Sequence, residues 1–129
     1  INDSKATSFE STKYALLNSK NIYWILGGLP KKNDKINLSS IKKNIIMCYL
    51  IGKNIKFFQK QIKNKVNYSI TKNLKKTIIK ILTDIKISGE KDNTILLSPA
   101  AASYDQFINF EKRGDEFKKL SKLYARKFI

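Results

Sequence analysis

The 129-residue sequence has no histidine, one cysteine and only five glycines. The missing imidazole removes the commonest acid–base side chain and metal ligand, and no Cys/His metal cluster is possible. Cys48 cannot form an intrachain disulfide and lies in an apolar run, which predicts a small buried residue. The glycines do not fall in a dinucleotide-binding or P-loop spacing. The sequence therefore predicts no conventional cradle for a nucleotide triphosphate.

Long apolar runs are also missing, because no stretch approaches the roughly 20 residues that span a bilayer. The opening residues 2–5 are polar, so no signal peptide is predicted there, and no membrane partner is expected. A hydrophobic content of 42% is sufficient for a globular fold. The length suits one domain with one core over residues 1–129.

Acidic residues are few, and the net charge is +16. Of the 26 basic residues, 24 are lysines, and the two arginines are Arg113 and Arg126. Specific nucleic-acid readers use arginine for bidentate contacts, and most of the aromatic residues here lie at core-like spacing or inside apolar runs. We therefore expect a solvated lysine surface and no specific nucleic-acid partner. A basic nucleic-acid-binding module and a partner-binding domain without a ligand remain the two alternatives.

Apolar runs alternate with amphipathic segments along the whole chain. Strands are predicted at 21–26, 45–51, 66–70 and 94–97, and helices at 11–18, 38–43, 53–63, 74–85 and from about 117 onwards. The alternation predicts an α/β, Rossmann-like three-layer domain with a mostly parallel sheet and helices on both faces. Thr71 is the predicted cap of one helix and Gly89 its predicted end, and the strand around Tyr68 is predicted near an edge.

Two turns follow buried strands and carry groups that suit an anion. Ser98-Pro99 ends the strand at 94–97, and after three alanines Ser103 precedes a segment of helical character. In open α/β sheets such turns bind ligands, and a helix start favours an anion. An ordinary N-cap is the alternative for Ser103. The other turn, residues 27–31, places Lys31 just beyond a strand end.

Three motifs in order resemble the D-glutamate-adding members of the Mur ligase family. The first resembles the motif that opens the C-terminal domain of these ligases, the second their Gly-Gly-x-x-Lys motif, and the third their signature. They are Asn2-Asp3-Ser4-Lys5-Ala6-Thr7; Gly27-Gly28-Leu29-Pro30-Lys31; and Ser98-Pro99-Ala100-Ala101-Ala102-Ser103-Tyr104-Asp105-Gln106-Phe107 with Asn109-Phe110-Glu111 and Arg113-Gly114-Asp115-Glu116-Phe117. The family usually has cysteine at Ala101, and often phenylalanine or leucine at Tyr104.

The resemblance implies that residues 1–129 are the C-terminal, D-glutamate-binding domain, with the N-terminal UDP-binding and central ATPase domains absent from the chain. Full-length members use ATP and Mg²⁺, bound mainly by the central domain, to form an acyl phosphate on UDP-N-acetylmuramoyl-L-alanine. The D-glutamate amine then attacks it, during peptidoglycan precursor synthesis in the bacterial cytoplasm. We expect the protein to be a monomer, and we expect the isolated domain to be inactive.

The resemblance also assigns site residues. It implies no catalytic residue and no metal ligand in this domain. Asp105, Glu111, Arg113 and Asp115 are expected to be structural and to orient the turn at Ser103. The residues implied to bind nucleotide are Asp3 and Lys5, and those implied to bind D-glutamate are Thr7, Lys31, Ser103, Tyr104 and Phe110, the last through its backbone.

Overall fold

A four-stranded, all-parallel sheet forms the centre of the protein, in a computed structural model that describes residues 1–6, 8–30, 35, 37–89, 91–98 and 109–128. The strand order is β3-β2-β1-β4. The strands are β1 (Ile22–Gly27), β2 (Ile45–Ile51), β3 (Tyr68–Lys72) and β4 (Thr94–Leu97). The helices are α1 (Phe9–Leu17), α2 (Ile55–Ile62), α3 (Leu74–Ser88) and α4 (Phe110–Phe128).

Helices cover both faces of the sheet. Alternate side chains of β1, such as Trp24, pack in one apolar cluster with α1 and α2. The side chains between them, such as Tyr23 and Ile25, pack in a second cluster with α3 and α4. All six residues of β1 are buried, as expected of an apolar strand covered on both sides. The predicted α/β, Rossmann-like three-layer fold with a parallel sheet is confirmed.

The order of the strands creates a switch point between β1 and β4. The chain steps from β1 to β2 to β3 in one direction, and after α3 it returns to the opposite side of β1. Ile22 to Ile25 of β1 pair with Thr94 to Leu97 of β4. In doubly wound sheets the loops at the carboxyl ends of two such strands diverge and leave a crevice for ligands. We call the side of the sheet where the strands end the carboxyl edge.

Several local predictions hold. β3 is an edge strand. Gly89 is the C-cap of α3, in the left-handed conformation with φ 68°. Cys48 is fully buried in β2, and this burial raises the pKa of its thiol. Within the described residues, no helix combines the length and apolar character needed to cross a membrane.

Other local predictions were wrong. The helix expected at 38–43 is a turn followed by a short 3-10 helix at Lys42–Asn44, because Leu38 and Ile41 reach the core without a longer helix. The cap of α3 is Asn73, whose side chain accepts a hydrogen bond from the Lys76 backbone N–H, whereas Thr71 still belongs to β3.

The last helix begins earlier than the apolar pattern indicated. α4 starts at Phe110, seven positions before Phe117. The Asn109 carboxamide oxygen accepts a hydrogen bond from the Lys112 backbone N–H at 2.8 Å, as an N-cap does. The polar first turn of α4 therefore belongs to the helix.

Gly27 allows the ends of β1 and β2 to approach closely. Its φ is +142°, and a Cβ added there would lie 2.1 Å from the Ile51 carbonyl oxygen. The following residue, Gly28, accepts a hydrogen bond from the Asn54 side chain at 2.9 Å. The loop that follows β1 is thus attached to the residue preceding α2.

We predict that Gly27→Ala destabilises the protein severely, by more than about 3 kcal/mol, because a methyl group would collide with backbone that cannot move independently of β2. Gly89→Ala is the matched control, since Gly89 also has positive φ but no atom lies within 4 Å of the added Cβ. Its cost is expected to be about 1 kcal/mol of backbone strain. Urea unfolding measures both, and equal losses would contradict the steric explanation.

Candidate functional site

The predicted site residues divide between described and undescribed parts of the chain. Asp3, Lys5 and Phe110 are described, and Thr7, Lys31, Ser103 and Tyr104 lie outside the described residues. The part of the site that the structure describes consists of three segments. They are an N-terminal turn (residues 2–6), the end of β4 at Ser98, and the start of α4 (residues 109–114).

The N-terminal turn lies beside β4 at the carboxyl edge. Asn2 forms an isolated parallel bridge with Leu97. The Asp3 backbone N–H donates to the Leu97 carbonyl at 2.6 Å, and the Leu97 N–H donates to the Ile1 carbonyl at 2.9 Å. A hydrogen bond from the Ala6 N–H to the Asp3 carbonyl then closes the turn. Asp3 and Lys5 are thus held where β4 ends.

Ser98 connects this turn to the interior of the protein. The residue is fully buried, and its carbonyl accepts hydrogen bonds from the Trp24 indole N–H at 2.7 Å and the Thr12 hydroxyl at 3.4 Å. Its own hydroxyl donates to an Asp3 carboxylate oxygen at 2.6 Å. The next residue is proline, so the sheet ladder cannot continue normally and side chains satisfy these buried groups instead.

Arg113 holds the same turn from the other side. Its side chain is 1% exposed. Its Nε donates to the Ser4 hydroxyl at 3.0 Å, and its Nη2 donates to the Ser4 carbonyl at 2.6 Å. The Ser4 hydroxyl in turn donates to the Phe110 carbonyl at 2.7 Å. A buried guanidinium requires such hydrogen bonds, so Arg113 fixes the turn against α4.

The structure describes only some of the charged residues that were expected to orient the turn at Ser103. The described side-chain hydrogen bonds of Arg113 go to the N-terminal turn. The turn at Ser103 lies outside the described residues, so the expectation that Arg113 orients it stays a prediction. Asp105 lies outside the described residues. Glu111 and Asp115 are exposed on α4, as solvated residues of a helix surface are.

Gly114 allows the turn to lie directly on α4. A Cβ added to Gly114 would be 3.0 Å from side-chain atoms of Asn2 and 3.2 Å from the Ser4 Cβ. Four residues that take part in these contacts were not predicted as site residues, namely Ser4, Gly114, Thr12 and Trp24. Ser4 and Gly114 lie inside the motifs, but nothing in the local sequence indicates that they touch one another.

Two cavities flank the N-terminal turn. One of about 440 Å³ lies between the turn and α1, and its lining includes Asp3, Lys5 and Tyr14. The other, of about 210 Å³, lies between the turn and α4, and its lining includes Lys5 and Phe110. Lys5 is exposed and borders both cavities, so its ammonium group is available to a ligand on either side.

A larger cavity of about 750 Å³ lies at the opposite edge of the sheet. Its lining includes Lys42, Lys63 and Lys65. Lys63 and Lys65 directly follow α2, where cations offset the negative end of the helix dipole. None of the predicted site residues borders this cavity, so its size alone does not make it the candidate site.

The described residues thus define an α/β domain with a parallel sheet, and the described candidate residues lie on the N-terminal turn and at the start of α4, beside the end of β4. No family model matches the chain. It is 44% identical over 117 residues to the UDP-N-acetylmuramoylalanine--D-glutamate ligase of Wolbachia sp. subsp. Brugia malayi. It is 40% identical over 120 residues to the ligase of the same name from Nitrobacter hamburgensis, and 39% identical over 117 residues to that from Rhizobium meliloti.

These alignments cover 91–93% of the chain but only 23–26% of each relative. The chain therefore spans about a quarter of the length of the curated relatives it matches. It is a homologue of the UDP-N-acetylmuramoylalanine--D-glutamate ligases over that segment, which confirms the resemblance in its motifs.

We predict that Ser98→Ala destabilises the protein by about 1.5–3 kcal/mol, because the half-buried Asp3 carboxylate loses a hydroxyl donor. Ser39→Ala is the control, since the hydrogen bond described for the Ser39 hydroxyl, to Asn37, is exposed. Its expected effect is within about 0.5 kcal/mol. Thermal and urea unfolding of both variants provide the comparison, and a neutral Ser98→Ala would contradict the central role of Ser98.

Proposed function

We propose that this chain is the C-terminal, D-glutamate-binding domain of a ligase that adds D-glutamate to UDP-N-acetylmuramoyl-L-alanine. The ligase would act in the bacterial cytoplasm, in peptidoglycan precursor synthesis. One observation carries the proposal. The N-terminal motif and the motif that starts at Ser98 are about 95 residues apart in sequence, yet their described residues meet in one polar cluster at the carboxyl edge, beside the end of β4. Ligands bind at this place in such folds.

D-glutamate has two carboxylates, and both need cationic or hydrogen-bond donors. In our proposal Lys31 supplies a point charge for one carboxylate, because it follows the loop after β1. Ser103 and the hydroxyl of Thr7 supply donors for the other, with Tyr104 and the backbone at Phe110 completing the pocket. Two separated anchors select the length of the substrate and orient its amine toward the acyl phosphate.

Asp3 and Lys5 are proposed to contact the nucleotide, and their environments suggest different roles. The Asp3 carboxylate already accepts a hydrogen bond from Ser98, so its first role is to hold the turn. Lys5 is exposed at the apex of the turn and borders the 440 Å³ cavity. Lys5 is therefore the side chain of the pair that can extend to a phosphate.

The residues of this chain do not fit a complete site for ATP and Mg²⁺. The chain has no phosphate-binding glycine loop, and its described residues contain no group of three possible metal ligands. We propose that ATP and Mg²⁺ are bound mainly by the rest of the ligase. The contribution of this domain is to bind and orient D-glutamate and to exclude water when the domains close.

We predict that Lys31→Ala in the full-length ligase raises the KM for D-glutamate at least about tenfold, because a charge-assisted hydrogen bond to a carboxylate is lost. The KM for ATP is expected to change less than about twofold, since Lys31 is proposed to bind the amino acid and not the nucleotide. Lys86→Ala is the control, because Lys86 is exposed in the last turn of α3. An unchanged kcat/KM for D-glutamate would remove Lys31 from the site.

We also predict that this chain alone forms no amide and releases no phosphate when supplied with ATP, Mg²⁺, UDP-N-acetylmuramoyl-L-alanine and D-glutamate. The reason is that the acyl phosphate has no site for its formation within these residues. Phosphate release and mass spectrometry of the products measure this directly, with the full-length ligase as the positive control. Amide formation by the chain alone would refute the proposal that the acyl phosphate is formed by the rest of the ligase.

A further inference from the structure

Ser4 lies at the centre of the described site, although the site assignments skip it. It is flanked by Asp3 and Lys5, the residues proposed to contact the nucleotide. Its side chain bonds to the carbonyl of Phe110, whose backbone is proposed to contact D-glutamate. One residue thus connects the two ligand-contacting segments.

We propose that Ser4 and Arg113 are positioning residues that couple nucleotide binding to D-glutamate binding. The proposal rests on the function proposed above. It names the hydrogen bonds through which the binding of one ligand would affect the binding of the other. It concerns residues that contact the ligand-binding segments and do not themselves touch the reacting atoms.

The hydrogen bonds from Arg113 to Ser4 fix both the main chain and the side chain of the turn. Nη2 of Arg113 binds the Ser4 carbonyl at 2.6 Å, and Nε binds the Ser4 hydroxyl at 3.0 Å. Because the hydroxyl accepts from Arg113, its own proton is directed to the Phe110 carbonyl at 2.7 Å. The other side-chain hydrogen bond described between the turn and α4, from Asn2 to the Gly114 carbonyl, is long at 3.5 Å.

The bond to Phe110 orients a peptide plane in the first turn of α4. A carbonyl and the N–H of the following residue are fixed relative to each other, because the peptide unit is planar. Ser4 therefore sets the direction of the Glu111 N–H, in a part of the helix where N–H groups have no carbonyl partner within the helix. Movement of the turn toward a nucleotide would be transmitted to the donors available to D-glutamate.

The cavities on the two sides of the turn support this coupling. The cavity shared by Asp3 and Lys5 faces α1, and the cavity shared by Lys5 and Phe110 faces α4. Ser4 itself is 4% exposed and lines the cavity on the α4 side. A ligand in the first cavity and a ligand in the second would contact opposite sides of the same short segment.

The test uses the full-length ligase with Ser4→Ala and Arg113→Lys. The chain offers a matched control for each. Ser121 is on the same helix as Arg113, and among the described residues its buried hydroxyl has no hydrogen-bond partner, so Ser121→Ala removes a hydroxyl without breaking a described contact. Arg126 is the other arginine of the chain and is exposed on α4, which makes Arg126→Lys the second control.

Three quantities are measured: the KM for D-glutamate, the kcat, and the Kd for D-glutamate with and without a non-hydrolysable ATP analogue. In the parent enzyme we expect the analogue to tighten D-glutamate binding by about 5-fold or more, within the usual range of coupling between sites. Ser4→Ala and Arg113→Lys are expected to bring this factor to about 1 and to raise the KM for D-glutamate. Neither control should alter the factor.

Thermal unfolding separates positioning from a purely structural role. If Ser4→Ala lowers the melting temperature but leaves the coupling factor and the KM for D-glutamate at parent values, the proposal is overturned. Ser4→Ala decides the question by itself if Arg113→Lys does not fold. A parent enzyme that forms amide but shows no effect of the analogue on D-glutamate binding also overturns it. A parent enzyme that forms no amide refutes the proposed function, on which this inference rests.

Discussion

The buried end of β4 is the constraint on which the site depends. A strand that stops inside a protein leaves polar groups without ladder partners, and such groups are costly unless they are hydrogen-bonded. At Ser98 the partners come from β1, α1 and the N-terminal turn, through Trp24, Thr12 and Asp3. The hydrogen bonds that satisfy the polar groups of Ser98 thus join it to three segments that are distant from it in sequence. The carboxyl edge is held in place by these buried polar contacts as well as by apolar packing.

Two glycines complement these hydrogen bonds by allowing close approach. Gly27 permits the ends of β1 and β2 to meet, and Gly114 permits the N-terminal turn to rest on α4. Opposite Ser98, Arg113 holds the turn through Ser4. The turn that carries Asp3 and Lys5 is therefore held by the sheet through Ser98 and by α4 through Arg113. Its position depends on the positions of both elements.

The layers of the fold were predictable because burial on both faces leaves a continuous apolar run, as in Ile22 to Leu26. The strand order was not predictable, since the place where β4 enters the sheet depends on contacts far apart in sequence. For the same reason the bond from Arg113 to Ser4 was missed. The false helix at 38–43 shows that two buried apolar residues do not distinguish a helix from a 3-10 turn. The ligand-binding roles of all the predicted site residues stay predictions: Asp3, Lys5, Thr7, Lys31, Ser103, Tyr104 and Phe110.

The distance in sequence between the N-terminal turn and its partners has a consequence for biosynthesis. Its hydrogen bonds to the end of β4 and to α4 join residues 94–112 positions apart. On the ribosome the chain appears from its first residue onward, so β1, β2 and β3 emerge long before these partners. The turn can form these hydrogen bonds only after nearly the whole domain has been synthesised, and forming them closes a loop of that length. A nascent chain interrupted just before Arg113 would contain all four strands but lack the side chain that holds the N-terminal turn against α4.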